Sequence, residues 1–476
     1  MRTREPYMTV TPDQDLYTTL DRHLRSRAAR IAVLGLGYVG LPLAVAFARA
    51  GFTVQGIDVD ARKIDGLRAG RSYIADVPSQ DLMDVLDSQD PRLAVTSSGP
   101  TAAPGRLTPT TDYRALAGSD AIVISVPTPM TRMKQPDIRY IVAATEGILA
   151  YLRPGMLVIL QSTTYPGTTE NEVRPILERG GLRAGSDFYL AFVPERINPG
   201  DARFNVSNIP TVAGGVGPQS GALAAQLFSA IGAPVTVVSS ASAAELTKCY
   251  ENTFRFVNIA LANEMAKLCE RMGLNAWEIT DAAKTKPFGF LAHYPSAGVG
   301  GHCILVDPYY LACAAREYDL SLGFIQLAAD VNEDMPYHVA GLVRRALGRS
   351  GIPIRGARVL ILGVAFKRDI DDARNSPSER IIESLLEDGA DIQYHDPYVP
   401  QFPVHSDFVP RHPFHLSSVP LTAELLAGID CAVVVQAHSC LDYRLVASHV
   451  PLVVDACNAM ADIEGDHIVR LGAGEA

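Results

Sequence analysis

Ala29-Arg-Ile-Ala-Val-Leu-Gly35-Leu-Gly37-Tyr-Val-Gly40 is the stretch that decides the fold of this chain. An apolar run passes straight into three glycines, then into a helical pattern from Leu41 to Arg49 that Gly51 closes. A second apolar run, Thr53-Val-Gln-Gly-Ile57, ends in Asp58, 18 residues past the third glycine. A glycine pattern alone is common. Strand, turn, helix, strand and acid in this order describe a βαβ unit built for a dinucleotide. Gly35, Gly37 and Gly40, with Tyr38 and Val39 between them, let backbone approach a pyrophosphate at the helix N-terminus. Asp58 accepts from a ribose 2′-hydroxyl and repels a 2′-phosphate, so NAD is expected over NADP; the nearby cations Arg62 and Lys63 soften that preference.

Outward from this unit the short apolar runs continue at Ala121–Val126, Leu157–Leu160 and Phe188–Val193, with helix-like segments between them. Runs of this kind are strands of a doubly wound parallel sheet. Their carboxyl ends lead into Pro127-Thr128-Pro129, Ser162-Thr163-Thr-Tyr-Pro-Gly167 and Pro194-Glu195-Arg196-Ile-Asn-Pro-Gly200, the expected lining of the ligand cleft. The Pro-rich stretch 99–109 reads as a surface loop. Ser242-Ala-Ala-Glu245 reads as a capping box opening a helix with no Gly or Pro before Gly273, so about 45 Å long. So long a helix bridges domains or forms a subunit interface, and a dimer through it is expected. Lys248 and Asn252 share one face of it.

After Gly356 the α/β pattern returns, with strands at Arg358–Gly363, Asp391–His395, Cys431–Gln436 and Leu452–Asp455 and a capping box at Ser376-Pro-Ser-Glu379. The turn Gly363-Val-Ala-Phe-Lys367 lacks the three glycines, so a second dinucleotide is not expected there. Lys367, Arg368 and Arg374 are placed either to hold another phosphorylated ligand or to pair with the acids of Asp369-Ile-Asp-Asp372. The expected division is an extension or short capping helix over 1–27, an NAD-binding Rossmann domain over 28–215, a helical middle domain over 216–330, and a second Rossmann-like domain over 331–476.

Composition narrows the function. The 476 residues are 47% hydrophobic and 20% charged, enough for several cores, and the formal net charge of −10 argues against nucleic-acid or anionic-membrane surfaces. No long apolar span or signal-like N-terminus stands out, so a cytoplasmic location is expected. Seven scattered cysteines without a C-x-x-C pair predict neither disulfides nor a zinc site. One of them, Cys303, follows Gly298-Val-Gly300-Gly301-His302 and precedes Ile-Leu-Val-Asp307-Pro308. A cysteine is more often a small buried hydrophobe than a nucleophile, and Asp307-Pro308 is also how a helix begins, with Asp as N-cap.

Taken in series, Gly35–Pro42, Val126-Pro-Thr-Pro129, Ser162–Thr169, Pro194–Gly200, Ala244–Asn252, Gly300-Gly-His-Cys303 and Phe366-Lys367 resemble the UDP-glucose/GDP-mannose dehydrogenase family. Thr285-Lys-Pro-Phe-Gly-Phe resembles its UDP-N-acetylglucosamine 6-dehydrogenase branch more than the animal UDP-glucose enzymes. The resemblance implies oxidation of C6 of an NDP-hexose of the UDP-glucose, UDP-N-acetylglucosamine or dTDP-glucose type, with two NAD⁺ reduced. Cys303 would carry the thiohemiacetal and thioester. Lys248 would stabilise negative charge on the C6 oxygen, and Asn252 would fix that oxygen or water. Thr163, Glu195 and Asp307 would bind and activate the hydrolytic water, with Glu195 as base and Asp307 also capping its helix. Pro127, Thr128 and Thr163 would line the cofactor; Glu195, Arg196, Gly300, Lys367 and Arg374 would line the sugar nucleotide, with the glycines admitting the sugar. Ile304-Leu305 departs from the Ile-Pro of many relatives, and Ser296-Ala297 from a common Gly-Pro. Two other readings compete: a one-step dehydrogenase of the β-hydroxyacid type, needing no cysteine, and a non-catalytic NAD or sugar-nucleotide sensor.

Overall fold

The computed structural model describes residues 12–74, 76–86, 105–131, 135–197, 203–301, 304–404 and 414–474. The chain divides into two compact units, Met1–Tyr250 and Glu251–Ala476.

The first unit is built on eight strands: β1 (Arg30–Leu34), β2 (Thr53–Ile57), β3 (Leu107–Thr110), β4 (Ala121–Ile124), β5 (Leu157–Leu160), β6 (Tyr189–Phe192), β7 (Thr211–Gly215) and β8 (Val235–Val237). They lie in the order β3-β2-β1-β4-β5-β6-β7-β8, parallel except where β6 meets β7. Strands of a parallel sheet are covered on both faces, which is why they read as unbroken apolar runs. Alternate residues serve different cores. Ile31, Val33, Val123 and Ile159 enter one cluster, while Ala32, Leu34, Ile124 and Leu160 enter the other. The helix Pro12–Ser26 adds Leu20 and Leu24 to the first of these, and Tyr17 meets Tyr189 edge-on at 6.3 Å. Strand order reverses between β1 and β4, so the turns after these two strands flank the crevice where open α/β sheets bind ligands.

Two expectations fail here. The Pro-rich stretch 99–109 is not wholly a loop: Leu107–Thr110 is the edge strand β3, with Gly56 opposite Pro109. A proline lacks a donor, and an edge strand is where that loss is tolerated. Residues 99–104 lie outside the described residues. The sheet also does not stop at 215. The helix Pro218–Ser229 buries Leu223, Ala224, Leu227 and Phe228, and β8 pairs with β7, so 216–237 belong to this sheet and not to a helical domain.

A 32-residue helix, Ala241–Met272, then carries the chain from one unit into the other without a Gly or Pro. In the second unit the helices Ala276–Lys284 and Asp307–Ala315 precede a 27-residue helix, Gly323–Arg349. That helix is continuous across the boundary expected at 330/331. Its Ala328 and Ala329 pack on Phe256 and Ala260, and its Met335, Val339 and Val343 pack under the second sheet. This sheet joins β9 (Arg358–Leu362), β10 (Asp391–His395), β13 (Cys431–Val434), β14 (Val453–Asp455) and β15 (Ile468–Arg470), all parallel, in the order β10-β9-β13-β14-β15. A hairpin, β11 (Gln401–Val404) and β12 (Phe414–Ser417), stands beside it. Here too Val359 and Ile361 face one core and Leu360 and Leu362 the other. No described helix is long and apolar enough to cross a membrane.

Candidate active site

In the first unit, the turn after β1 is held open by its glycines. A Cβ on Gly35 would lie 2.4 Å from the Ser125 carbonyl oxygen, and one on Gly40 would lie 1.9 Å from that of Gly35. Those two glycines permit backbone to meet backbone. A Cβ on Gly37 would meet nothing within 4 Å, so its freedom serves a ligand, not the protein. Tyr38 is exposed, and after Val39 the helix Gly40–Arg49 starts with no side chain capping it, as an anion-binding helix end requires. Asp58 closes the turn. Its buried carboxylate accepts from Leu36 N at 2.9 Å and Asp60 N at 2.9 Å, and pairs with Lys63 at 3.1 Å, while Arg62 pairs with Asp60. The residues present therefore fit the diphosphate and ribose of a dinucleotide. Exposed Pro127 and half-buried Thr128 follow β4 across the crevice.

Beyond β5, the Ser162 hydroxyl donates to the Val126 carbonyl at 2.8 Å, tying this loop to the one after β4 and setting half-buried Thr163 between them. Glu195 leaves the end of β6 with its side chain 11% exposed, and the ammonium of Lys248, 7% exposed on the long helix, lies 4.0 Å from its carboxylate. Burial pushes the Glu195 carboxyl above its ordinary range, against the pull of Lys248 and of the Ile197 N–H that it accepts. A buried carboxyl held beside one cation is placed to exchange a proton with a neighbouring group. The Arg196 guanidinium donates to the Pro210 carbonyl at 2.6 Å. Residues 198–200 of that expected motif lie outside the described residues.

In the second unit, the segment around Cys303 is anchored on both sides, although His302 and Cys303 themselves lie outside the described residues. Asn263 accepts from Ser296 N at 2.9 Å and donates to Asn332 at 3.0 Å, which in turn donates to the Phe256 carbonyl at 3.1 Å. Gly301 N donates to the Arg374 carbonyl at 3.1 Å, and Asn375 Nδ2 donates to the Gly301 carbonyl at 3.1 Å. Downstream, Asn252 Nδ2 donates to Asp307, both side chains buried. Ile304 and Leu305 pack on Phe256 and Ala328, which gives the Leu305 departure an apolar berth.

Two expectations change. Asp307 is not an N-cap: Val306 holds that position, no side chain caps the helix, and the carboxylate is turned to Asn252 instead. Gly300 and Gly301 do not leave room for a sugar at their own α-carbons. A Cβ on Gly300 would lie 2.8 Å from Phe366 Cβ, and one on Gly301 2.7 Å from the Phe366 ring. Their close approach is to the loop 363–376.

That loop carries Lys367 and Arg374. Arg374 forks onto Asp372, Nε to Oδ1 at 2.9 Å and Nη2 to Oδ2 at 2.5 Å, so the pairing within the acid-rich loop is the one observed; half-buried Lys367 stands earlier in the same loop. Behind it lies a cluster that the sequence reading missed. Asp396, at the end of β10, accepts from Val364 N at 2.8 Å, Ala365 N at 3.0 Å, Tyr398 N at 2.9 Å and Val399 N at 3.1 Å. His438 is fully buried; its Nε2 lies 3.1 Å from Asp396, and its Nδ1 accepts from Asp369 N at 3.0 Å, so the geometry places the proton on Nε2. The available signal was positional: Asp396 ends the second strand of its unit as Asp58 ends the second strand of the first.

The chain is similar to known proteins over most of its length. Residues 29–232 match the NAD binding domain of the UDP-glucose/GDP-mannose dehydrogenase family, 242–334 its central domain and 360–462 its UDP binding domain. The chain is 38% identical to the UDP-N-acetyl-D-mannosamine dehydrogenase of Pyrococcus horikoshii over 78% of its length and 84% of that protein. It is 37% identical to the UDP-N-acetyl-D-glucosamine 6-dehydrogenase of Pseudomonas aeruginosa over 78% and 83%. The solved structure of the UDP-D-ManNAc dehydrogenase from Pyrococcus horikoshii superposes with a TM-score of 0.81 at 32% identity, covering 94% of this chain and all of that one. The glycine turn that fits a dinucleotide thus belongs to an NAD-dependent nucleotide-sugar dehydrogenase, and the chain is a member of the UDP-glucose/GDP-mannose dehydrogenase family.

Proposed function

We propose that the chain oxidises the C6 primary alcohol of a UDP-linked 2-acetamido hexose to the uronate in two successive steps through Cys303. The observation that carries the chemistry is the buried Glu195–Lys248 pair at the carboxyl edge of the sheet. The sugar class rests on the names of the relatives, which act on UDP-N-acetyl-D-mannosamine and UDP-N-acetyl-D-glucosamine. When bound, NAD⁺ supplies the hydride acceptor, two equivalents per sugar. Lys248 stabilises the negative charge on the C6 oxygen as its proton passes to the Glu195 carboxylate and on to solvent, in a site dry enough for a cation to count. The Cys303 thiolate forms a C–S bond to the aldehyde carbon as the carbonyl pair moves to the oxygen beside Lys248, and loss of a second hydride from this thiohemiacetal, to the second NAD⁺, would leave the thioester. At the thioester, Glu195 takes a proton from water, the water oxygen bonds to C6, and the C–S bond breaks to return the thiolate. Thr163 and the Asn252–Asp307 pair hold that water and the C6 oxygen. Lys367 and Arg374 contact the nucleotide diphosphate, with Arg374 exchanging Asp372 for it.

The experiment is a panel of UDP-N-acetylglucosamine, UDP-N-acetylmannosamine, UDP-glucose, dTDP-glucose and GDP-mannose, with NADH counted against sugar consumed. Two NADH per UDP-acetamido sugar is the expected result. One NADH, or full turnover by Cys303→Ser, sinks the thioester route in favour of a one-step dehydrogenase; no NADH with any sugar leaves a sensor. The working assembly is a cytoplasmic homodimer through the long helix. Its outer positions Phe254, Leu261, Met265, Leu268 and Met272 are 41–59% exposed, an apolar stripe that a second copy would cover. Light scattering should give twice the 51.2 kDa chain mass, and a monomer for L261E/L268E; a monomeric parent refutes the dimer.

A further inference from the structure

Glu245 reads in sequence as the first-turn acid of a capping box, three residues after Ser242, and the structure gives it other work. The long helix starts at Ala241, so Glu245 lies within it, fully buried. Its carboxylate accepts from Gly167 N at 2.6 Å, from Thr169 N at 2.8 Å and from the Thr169 hydroxyl at 2.6 Å. All three donors sit at the far end of the loop that begins with Ser162 and carries Thr163. One turn along the helix, Cys249 Sγ donates to the Thr164 carbonyl at 3.3 Å. Inside the loop the Thr164 and Thr168 hydroxyls are 2.6 Å apart, and Gly167 takes the left-handed backbone (φ +97°) that points its N–H at the carboxylate. The loop is therefore fastened to the helix at Glu245 and at Cys249, and Lys248 projects from the helix between them.

A buried carboxylate is costly, and three well-aligned donors are what make it tolerable. Burial pushes its pKa up to about 7 even so, with the Glu170 carboxylate adding to the rise. An apolar residue would fill the same space at lower cost but would fasten nothing.

We propose that Glu245 is a positioning residue for the reaction: it sets the loop that bears Thr163 against the turn of the helix that bears Lys248. The proposal rests on the roles assigned above to those two residues. In Glu245→Gln the shape is kept, but an NH₂ group replaces one acceptor and faces a donor. Thr169→Ala is the milder partner, removing the hydroxyl alone. For each full-length variant, NAD⁺-binding sites are counted by equilibrium dialysis, and kcat per site and KM are measured with UDP-N-acetylglucosamine and UDP-N-acetylmannosamine.

The expected result is a fall in kcat per site of about tenfold or more for E245Q and about threefold for T169A, with KM for NAD⁺ within about threefold of the parent. A purely structural glutamate would lower the number of NAD⁺ sites and leave kcat per site unchanged, which overturns the proposal. If E245Q does not fold, T169A decides: kcat within about 1.5-fold of the parent overturns it, and a selective loss of kcat supports it. A parent that reduces no NAD⁺ with any sugar nucleotide refutes the functional reading itself, and this proposal with it.

Discussion

The two sheets of this chain open in the same way and then part. In each, the first strand leads into a turn whose backbone N–H groups meet an aspartate at the end of the second strand. After β1 the turn is 35–39, Asp58 takes the single amide of Leu36, and the next helix begins at once with no side-chain cap. After β9 the connection is 363–376, Asp396 takes the consecutive amides of Val364 and Ala365, and the next helix is capped by the Ser376 hydroxyl. The first turn is arranged for an external anion. The second has its anion supplied by the chain, and its loop is spent on holding Gly300 and Gly301 and on presenting Lys367 and Arg374. One architecture thus yields a cofactor site or a loop support, according to how many turn amides the aspartate occupies.

Exchanging each aspartate for alanine should give the largest contrast. Asp396→Ala leaves four backbone donors unmet, two in the turn and two just after β10, and should cost about 3–5 kcal/mol in urea unfolding. Asp58→Ala should cost about 1–2 kcal/mol, with its main effect a rise of about tenfold in KM for NAD⁺. Equal losses of stability in the two variants would break the comparison.

Glycine replacements sharpen it next. Gly363→Ala meets Gln436 Cβ at 2.6 Å from a left-handed backbone (φ +83°) and should lower stability by about 1–3 kcal/mol. Gly37→Ala, facing open space, should leave the unfolding midpoint within about 0.5 kcal/mol of the parent and weaken NAD⁺ binding instead. Unchanged NAD⁺ affinity in that variant would show that the turn is not the diphosphate site.

The smallest effect is in pH. At Asp396 burial raises the pKa, but His438 and the backbone donors outweigh it and hold the carboxyl below its ordinary value. Its contribution to stability is therefore present above about pH 4 and is lost as pH falls through the depressed value. Glu245 has the opposite sign: raised by burial to about 7, it favours the folded state most at low pH, and that contribution is lost as pH rises from about 4.5 to 7. Asp396→Asn should flatten the acid limb of a stability–pH curve, and E245Q the limb approaching neutrality. A curve unchanged by either substitution would contradict these assignments.

The sheets were legible because parallel strands buried on both faces leave continuous apolar runs, and the glycine turn because its spacing is imposed by backbone contact. What escaped was set by pairing across long separations. β3 hid behind Pro109, β7 behind a strand ending in two glycines, and β8 behind three residues of which two are exposed. Glu245 passed for a cap because its donors lie 76 and 78 residues upstream, and His438 had no signal because Asp396 is 42 residues away. The glycines before Cys303 were expected to admit a sugar, but the group that approaches Gly300 and Gly301 is Phe366, which no local pattern announces. Lys248, Glu195, Asn252 and Asp307 were singled out by family motif, and the structure pairs them two by two.

The carboxylate of Asp396 has a consequence for motion. A turn that carries its own counter-ion has no ligand-free form in which its amides face water, so the N–H groups of Val364 and Ala365 should exchange with deuterium slowly whether or not substrate is present. In the other turn Gly35 N and Leu36 N are already taken by the Ile57 carbonyl and by Asp58, so it is the N–H groups of Gly37 and Val39 that should slow when NAD⁺ arrives. Ordering on binding is then confined to one of two similar turns, and the other serves as its permanently loaded internal standard.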